Sequence, residues 1–167
     1  MGVQLLACPV AHVNPTLFAA IKSWITGPSM ILDISESEEQ PDVNEYDADF
    51  ILVNTDQLYA IAKGSSLPLI VRMNEEDRSN IENLSTHSQR IQFVMTKDIS
   101  VTELEKLTSF NYKVLVSFKK HQPGNLGDLL SLPIAGLVLT GETEAMPGLK
   151  EYDHLSTVLE QLETSED

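Results

Sequence analysis

Two hydrophobic periods alternate along the chain. Short apolar runs of strand length are followed by stretches whose apolar residues recur every three to four positions, the spacing of one helix face. Gln4 to Val10 (QLLACPV) predicts the first strand. Asn14-Pro15 then offers an N-cap and a first-turn proline for a helix over Pro15 to Ile25, with Leu17, Phe18, Ile21 and Ile25 on one face and Gly27-Pro28 as its stop. Met30 to Ser35 is the second strand. Further strands are predicted over Phe50 to Asn54, Leu67 to Met73, Ile91 to Thr96, Lys113 to Phe118 and Ile134 to Thr140. Helices are expected over Asp56 to Lys63, Glu75 to His87, Ser100 to Phe110, Asn125 to Leu132 and Tyr152 to Leu162. Ser100 and Glu103 have the spacing of a capping box.

One stretch breaks the alternation. Ser35 to Asp49 (SESEEQPDVNEYDAD) is acidic, is interrupted by Pro41 and carries only Val43 and Tyr46 as sizeable apolar residues. It reads as a loop or a poor helix with too little apolar surface to cover a sheet.

Strands that are apolar almost throughout, each followed by an amphipathic segment, argue for an α/β fold with a parallel sheet buried on both faces. Seven units in 167 residues are tight against the roughly 250 residues of a complete eight-unit barrel. The expectation is one α/β domain over residues 1–162 and a polar tail over 163–167. Its architecture is a compact or incomplete TIM-like barrel, with an open doubly wound sheet as the alternative.

Composition narrows the partners. Eleven basic against twenty-five acidic residues give a net charge of -14, and such a surface repels phosphate backbones and anionic lipid, which argues against nucleic acid and membrane as partners. The apolar N-terminal stretch lacks a basic flank and is interrupted by Pro9, His12, Asn14 and Pro15, so it reads as the start of a cytoplasmic protein rather than a signal peptide. A single cysteine, Cys8, excludes an internal disulfide and a four-cysteine zinc site.

In parallel α/β folds the chemistry sits at the carboxyl ends of the strands. Those ends carry Asp33, Asn54, Arg72, Lys97, Lys119 and His121 among other polar residues. Arg72 and Lys119 are the candidate ligand-binding cations, expected with His121 to attract an anionic group against the acidic background. His12 and His121 follow strands and are the two candidates for acid–base work, whereas His87 and His154 fall on expected helices. The four histidines lack the spacing of a metal site, and none is expected. No phosphate-loop pattern occurs, and Gly124-Asn125-Leu126-Gly127 is best read as a helix cap. Cys8 lies within a strand, where a free thiol packs as a small hydrophobe.

Two stretches carry a family resemblance. Residues 5 to 35 run from a strand through a proline turn and an Ala-containing helix to a second strand bearing Asp33. The segment GLVLTGETEAMPG, from Gly136 to Gly148, precedes a helix containing VLEQL. Together they resemble nitronate monooxygenase-like (2-nitropropane dioxygenase) flavin barrels, especially those joined to the start of multidomain polyketide synthases. The resemblance implies an FMN-binding role for Gly141, Glu144, Ala145 and Gly148. It also implies departures. Met146-Pro147 stands where the family has its catalytic histidine, and the strands whose glycine-rich loops hold the FMN phosphate have no counterpart.

The resulting expectation is a degenerate, non-catalytic barrel acting as a binding or scaffolding module in polyketide or fatty-acid biosynthesis, with FMN disfavoured as a cofactor. The alternatives are an active FMN-dependent oxidoreductase with an altered site, and an unrelated small α/β enzyme using His12 or His121. A thin sheet face beside Ser35 to Asp49 and an unclosed edge predict that a homodimer or a neighbouring domain of a multidomain synthase covers the gap.

Overall fold

The computed structural model describes residues 3–74, 76–77, 84, 86–87, 89–97, 99–118 and 131–140. Seven strands form one sheet: β1 Leu5–Pro9, β2 Ser29–Asp33, β3 Phe50–Asn54, β4 Leu69–Met73, β5 Ile91–Thr96, β6 Lys113–Phe118 and β7 Gly136–Leu139. Every neighbouring pair is parallel, and the strands follow one another across the sheet in chain order. That order never reverses, so the sheet has no switch point and the doubly wound alternative is excluded. The strands curl through 253° into an open half-barrel.

Among the described residues there are three α-helices, α1 Pro15–Trp24, α2 Leu58–Gly64 and α3 Val101–Ser109. Each end has a sequence cause. The Asn14 side chain accepts from Leu17 N–H at the start of α1, with Pro15 in the first turn. Ser100 and Glu103 close the expected capping box on α3. At its other end, Asn111 adopts φ 62° while its N–H bonds the Thr108 carbonyl and Tyr112 N–H bonds that of Leu107. This is the paired closure that a left-handed residue makes after a helix. Helix α2 starts two residues later than expected because the Gln57 side chain turns back to accept from Asn54 N–H. The helices expected over Asn125 to Leu132 and Tyr152 to Leu162 lie outside the described residues, except for Ser131 and Leu132. Most of the one expected over Glu75 to His87 does too.

Alternation along the strands sorts the core into two layers. Phe18 of α1, Leu58 and Ile61 of α2, and Leu104 and Leu107 of α3 pack with Leu32, Ile51, Val53, Leu69, Val71, Val94, Val114 and Val116. This is the convex, helix-covered layer. The other side chains of the same strands, Ile31, Leu52, Ile70, Met95 and Leu115, form a second cluster without any helix residue. They line the concave face, where curling alone brings them together and out of water. Burial on both faces explains the nearly continuous apolar strands.

The acidic segment corrects one expectation. It forms no α-helix, only a 3-10 turn at Val43–Glu45, yet it does cover the convex face. Val43 and Ala48 are buried, and the Tyr46 ring meets Phe18 edge-on with centroids 5.8 Å apart. Tyr46 Oη also donates to the Val13 carbonyl at 3.3 Å. Three apolar side chains placed between charged ones suffice because α1 already shields the neighbouring surface. The segment is fastened at its far end by Asp49, which accepts from Met30 N–H at 2.7 Å and from Lys22 Nζ at 3.0 Å. The thin face expected there is filled by the chain itself.

Candidate functional site

The carboxyl ends of β2, β3 and β4 meet at the mouth of the half-barrel. Asp33, Asn54 and Arg72 alternate in phase with Ile31, Leu52 and Ile70, so all three belong to the concave face. Asn54 is in register with Arg72, whereas Asp33 is opposite Leu52. The Arg72 side chain therefore reaches diagonally across β3 to β2. There Nη2 donates to Asp33 Oδ2 at 3.1 Å, and Nη1 donates to Glu36 Oε1 at 3.0 Å.

Asp33 is the fixed partner. Its residue is 9% exposed, and Oδ1 accepts from both the backbone N–H and the hydroxyl of Ser35, at 2.9 and 2.5 Å. This is the local turn in which an aspartate bonds the backbone two residues on. Two side chains then lock the turn to β3. Asn54 Nδ2 donates to the Ser35 carbonyl at 2.5 Å, and Gln57 Nε2 donates to the Ile34 carbonyl at 3.0 Å. Asn54 Oδ1 is buried without a hydrogen-bond partner. What this arrangement can do is hold one guanidinium rigidly at the rim with its charge balanced by carboxylates. It lacks an uncommitted acid–base pair.

The sequence had placed Asp33, Asn54 and Arg72 at strand ends, and the structure brings those three together. Gln57 and Ser35 were missed as partners. Their signal was present in the spacing, since a serine two residues after Asp33 and a glutamine three after Asn54 are within reach of the backbone that ends each strand. His12 is exposed on the 3-10 turn Val10–His12 after β1 and makes no side-chain hydrogen bond among the described residues. Cys8 is buried in β1, and burial pushes its thiol pKa up, away from nucleophilic use. Lys119, His121, Gly141, Glu144, Ala145 and Gly148 lie outside the described residues.

An FMN phosphate does not fit the described part of the mouth. Close approach of an anion to backbone N–H groups favours glycine, and the described glycines are all elsewhere. Gly27 precedes β2, Gly64 ends α2 before β4, and Gly136 opens β7, so all three lie towards the amino-terminal rim of the sheet. At the mouth a phosphate would instead meet Asp33 and Glu36. No group of three or more potential metal ligands occurs among the described residues, and no described helix is long and apolar enough to cross a membrane. Compared with protein-family models, curated proteins and solved structures, the chain matches none.

Proposed function

We propose that the chain is a non-catalytic half-barrel acting as a binding or scaffolding module. In this reading it is a degenerate relative of the nitronate monooxygenase-like flavin barrels that it resembles, working in polyketide or fatty-acid biosynthesis. The observation that carries the reading is the commitment of Arg72. A catalytic cation or acid must present its group to a substrate, whereas this guanidinium is clamped between Asp33 and Glu36. Asp33 is likewise held by Ser35. These contacts tie loops to strands, as a scaffold requires.

The partner in this proposal is a second copy or a neighbouring domain, docked along an open edge of the sheet. Strands β1 and β7 each have a single neighbour among the described strands. Such edges carry unpaired backbone groups that favour docking.

Titrating FMN into the purified chain and following flavin fluorescence tests the absence of flavin chemistry. The expected result is no saturation in the micromolar range. A saturable complex that stays yellow through gel filtration overturns the reading in favour of an FMN-dependent oxidoreductase of the nitronate monooxygenase type. Light scattering over a concentration series tests self-association separately, with a dimer expected if the second copy is the partner.

A further inference from the structure

We propose that the outer flank of α1, carrying Leu17 and Trp24, docks a separate protein that offers an apolar contact bordered by basic side chains. The proposal rests on reading the chain as a binding module, and it gives that module a surface and its partner a chemistry.

Helix α1 has two unlike flanks. Phe18 packs into the core, and Lys22 leans toward the connection before β3, where it pairs with Asp47 and Asp49. With successive residues turned by about 100°, Leu17 and Trp24 share a stripe roughly 140–160° around the helix from Lys22. That stripe faces away from β3, to the side of the edge strand β1. Trp24 is 85% exposed and Leu17 is 46% exposed. At the same end of the sheet, exposed Val3 precedes β1, where the Gln4 carbonyl accepts from Ser29 N–H at 2.9 Å. Tryptophan brings a large apolar area, and it is among the residue types that anchor protein interfaces.

Charge decides between occupants. Residues 1–32 hold no acidic side chain, and Lys22 is their one lysine or arginine. Across the helix, a width of about 10 Å, the segment Ser35 to Asp49 carries seven acidic side chains and no basic one. The surface is therefore an uncharged apolar stripe with an acidic border. A second copy would bring another net charge of -14 to that border. Residues 141–167 of the same chain suit it no better, with eight acidic side chains against Lys150. A separate protein with basic groups beside an apolar anchor complements both parts.

Trp24 is the only tryptophan, so its fluorescence reads this site in the full chain. The probe is a synthetic amphipathic helix of leucine and lysine without tryptophan. A saturable blue shift of Trp24 emission is expected, and it should weaken as salt is added. Leu17→Glu should weaken binding about tenfold, through the loss of one aliphatic contact. Its added negative charge would by itself tighten binding to a basic peptide, so general electrostatic attraction predicts the opposite sign. Tyr59→Ser, at an exposed apolar residue of α2, should leave the affinity unchanged. Absence of a saturable shift, or binding that Leu17→Glu does not weaken, overturns the proposal. So does each outcome that names another occupant. Trp24 shielded from acrylamide in the dilute chain points to residues 141–167. A shift with chain concentration alone points to a second copy, and a shift with phosphatidylcholine vesicles to a lipid surface. The flavin titration does not involve this surface, so failure here is distinguishable from failure of the non-catalytic reading.

Discussion

Replacing Arg72 by methionine removes the guanidinium while keeping most of the side-chain volume, and it leaves Asp33 charged beneath the mouth. Breaking a fully buried ion pair by removing one partner costs about 3–5 kcal/mol. The cost here should be smaller for two reasons. The paired side chains retain 18% and 10% exposure, and Ser35 still donates two hydrogen bonds to Asp33. We therefore expect a loss of about 2–3 kcal/mol. With a urea slope of roughly 2 kcal/mol/M for a domain of this size, the midpoint falls by about 1–1.5 M. The assay is urea unfolding followed by circular dichroism. The double variant Asp33→Asn with Arg72→Met removes the stranded charge while leaving an oxygen for Ser35, and it should recover most of the loss. The reasoning fails if Arg72→Met shifts the midpoint by less than about 0.25 M, or if the double variant is no more stable than the single one.

Other expectations use the same unfolding assay. Asn111→Ala, forced into the left-handed backbone at φ 62°, should cost about 1 kcal/mol, and Asn111→Gly should cost nothing or stabilise. Ser100→Ala opens the capping box of α3 and should cost about 1 kcal/mol. Burial raises the Asp49 pKa, but the Met30 N–H and Lys22 outweigh it and leave the carboxyl below its ordinary value. Its stabilising contribution is therefore full above the ordinary aspartate range and is lost as pH falls through the depressed pKa. Asp49→Asn should flatten the acid limb of a stability-versus-pH curve, and an unchanged limb would refute the assignment. Cys8 in the native protein should react with a thiol reagent far more slowly than in urea, since it is buried and its pKa is raised.

The strands were legible because each is a short apolar run ended by polar or turn residues. Phe50–Asn54, Ile91–Thr96 and Lys113–Phe118 coincide with their predicted bounds. Their order was legible only as a class. The spacing of units suggested a barrel, but the sequential registers that exclude a reversal depend on contacts between distant segments. The acidic segment was misjudged because a tally of apolar residues ignores where they land. Val43, Tyr46 and Ala48 lie against a surface that α1 has already narrowed, so a few side chains suffice. At the mouth, Arg72 and Asp33 were visible as strand-end charges on non-neighbouring strands. That one would neutralise the other was not visible, because the diagonal across β3 depends on the stagger between β2 and β4.

Closure of the acidic face changes where a partner can act. Every residue of β3 and β4 is buried or half-buried, whereas Ala7 and Pro9 of β1 are exposed and all of β7 is half-buried. The exposed apolar residues of the described strands, Ala7 and Pro9, therefore lie on the β1 edge of the sheet rather than beside Ser35 to Asp49, while the exposed Gln92 of β5 and Lys113 of β6 are polar. The two edges differ as docking strands. Pro9 has no N–H to offer, so β1 presents a shorter ladder than its length suggests. The net charge of -14 further opposes a second copy approaching by unspecific contact. A partner with a basic surface beside an apolar strand meets both conditions more readily than a second acidic chain. If so, association should weaken as salt is added, because screening reduces attraction between opposite charges. Self-association would instead strengthen, since the same salt screens repulsion between like-charged copies. Light scattering at low and high salt, with and without a candidate neighbouring domain, separates the two by the sign of the change.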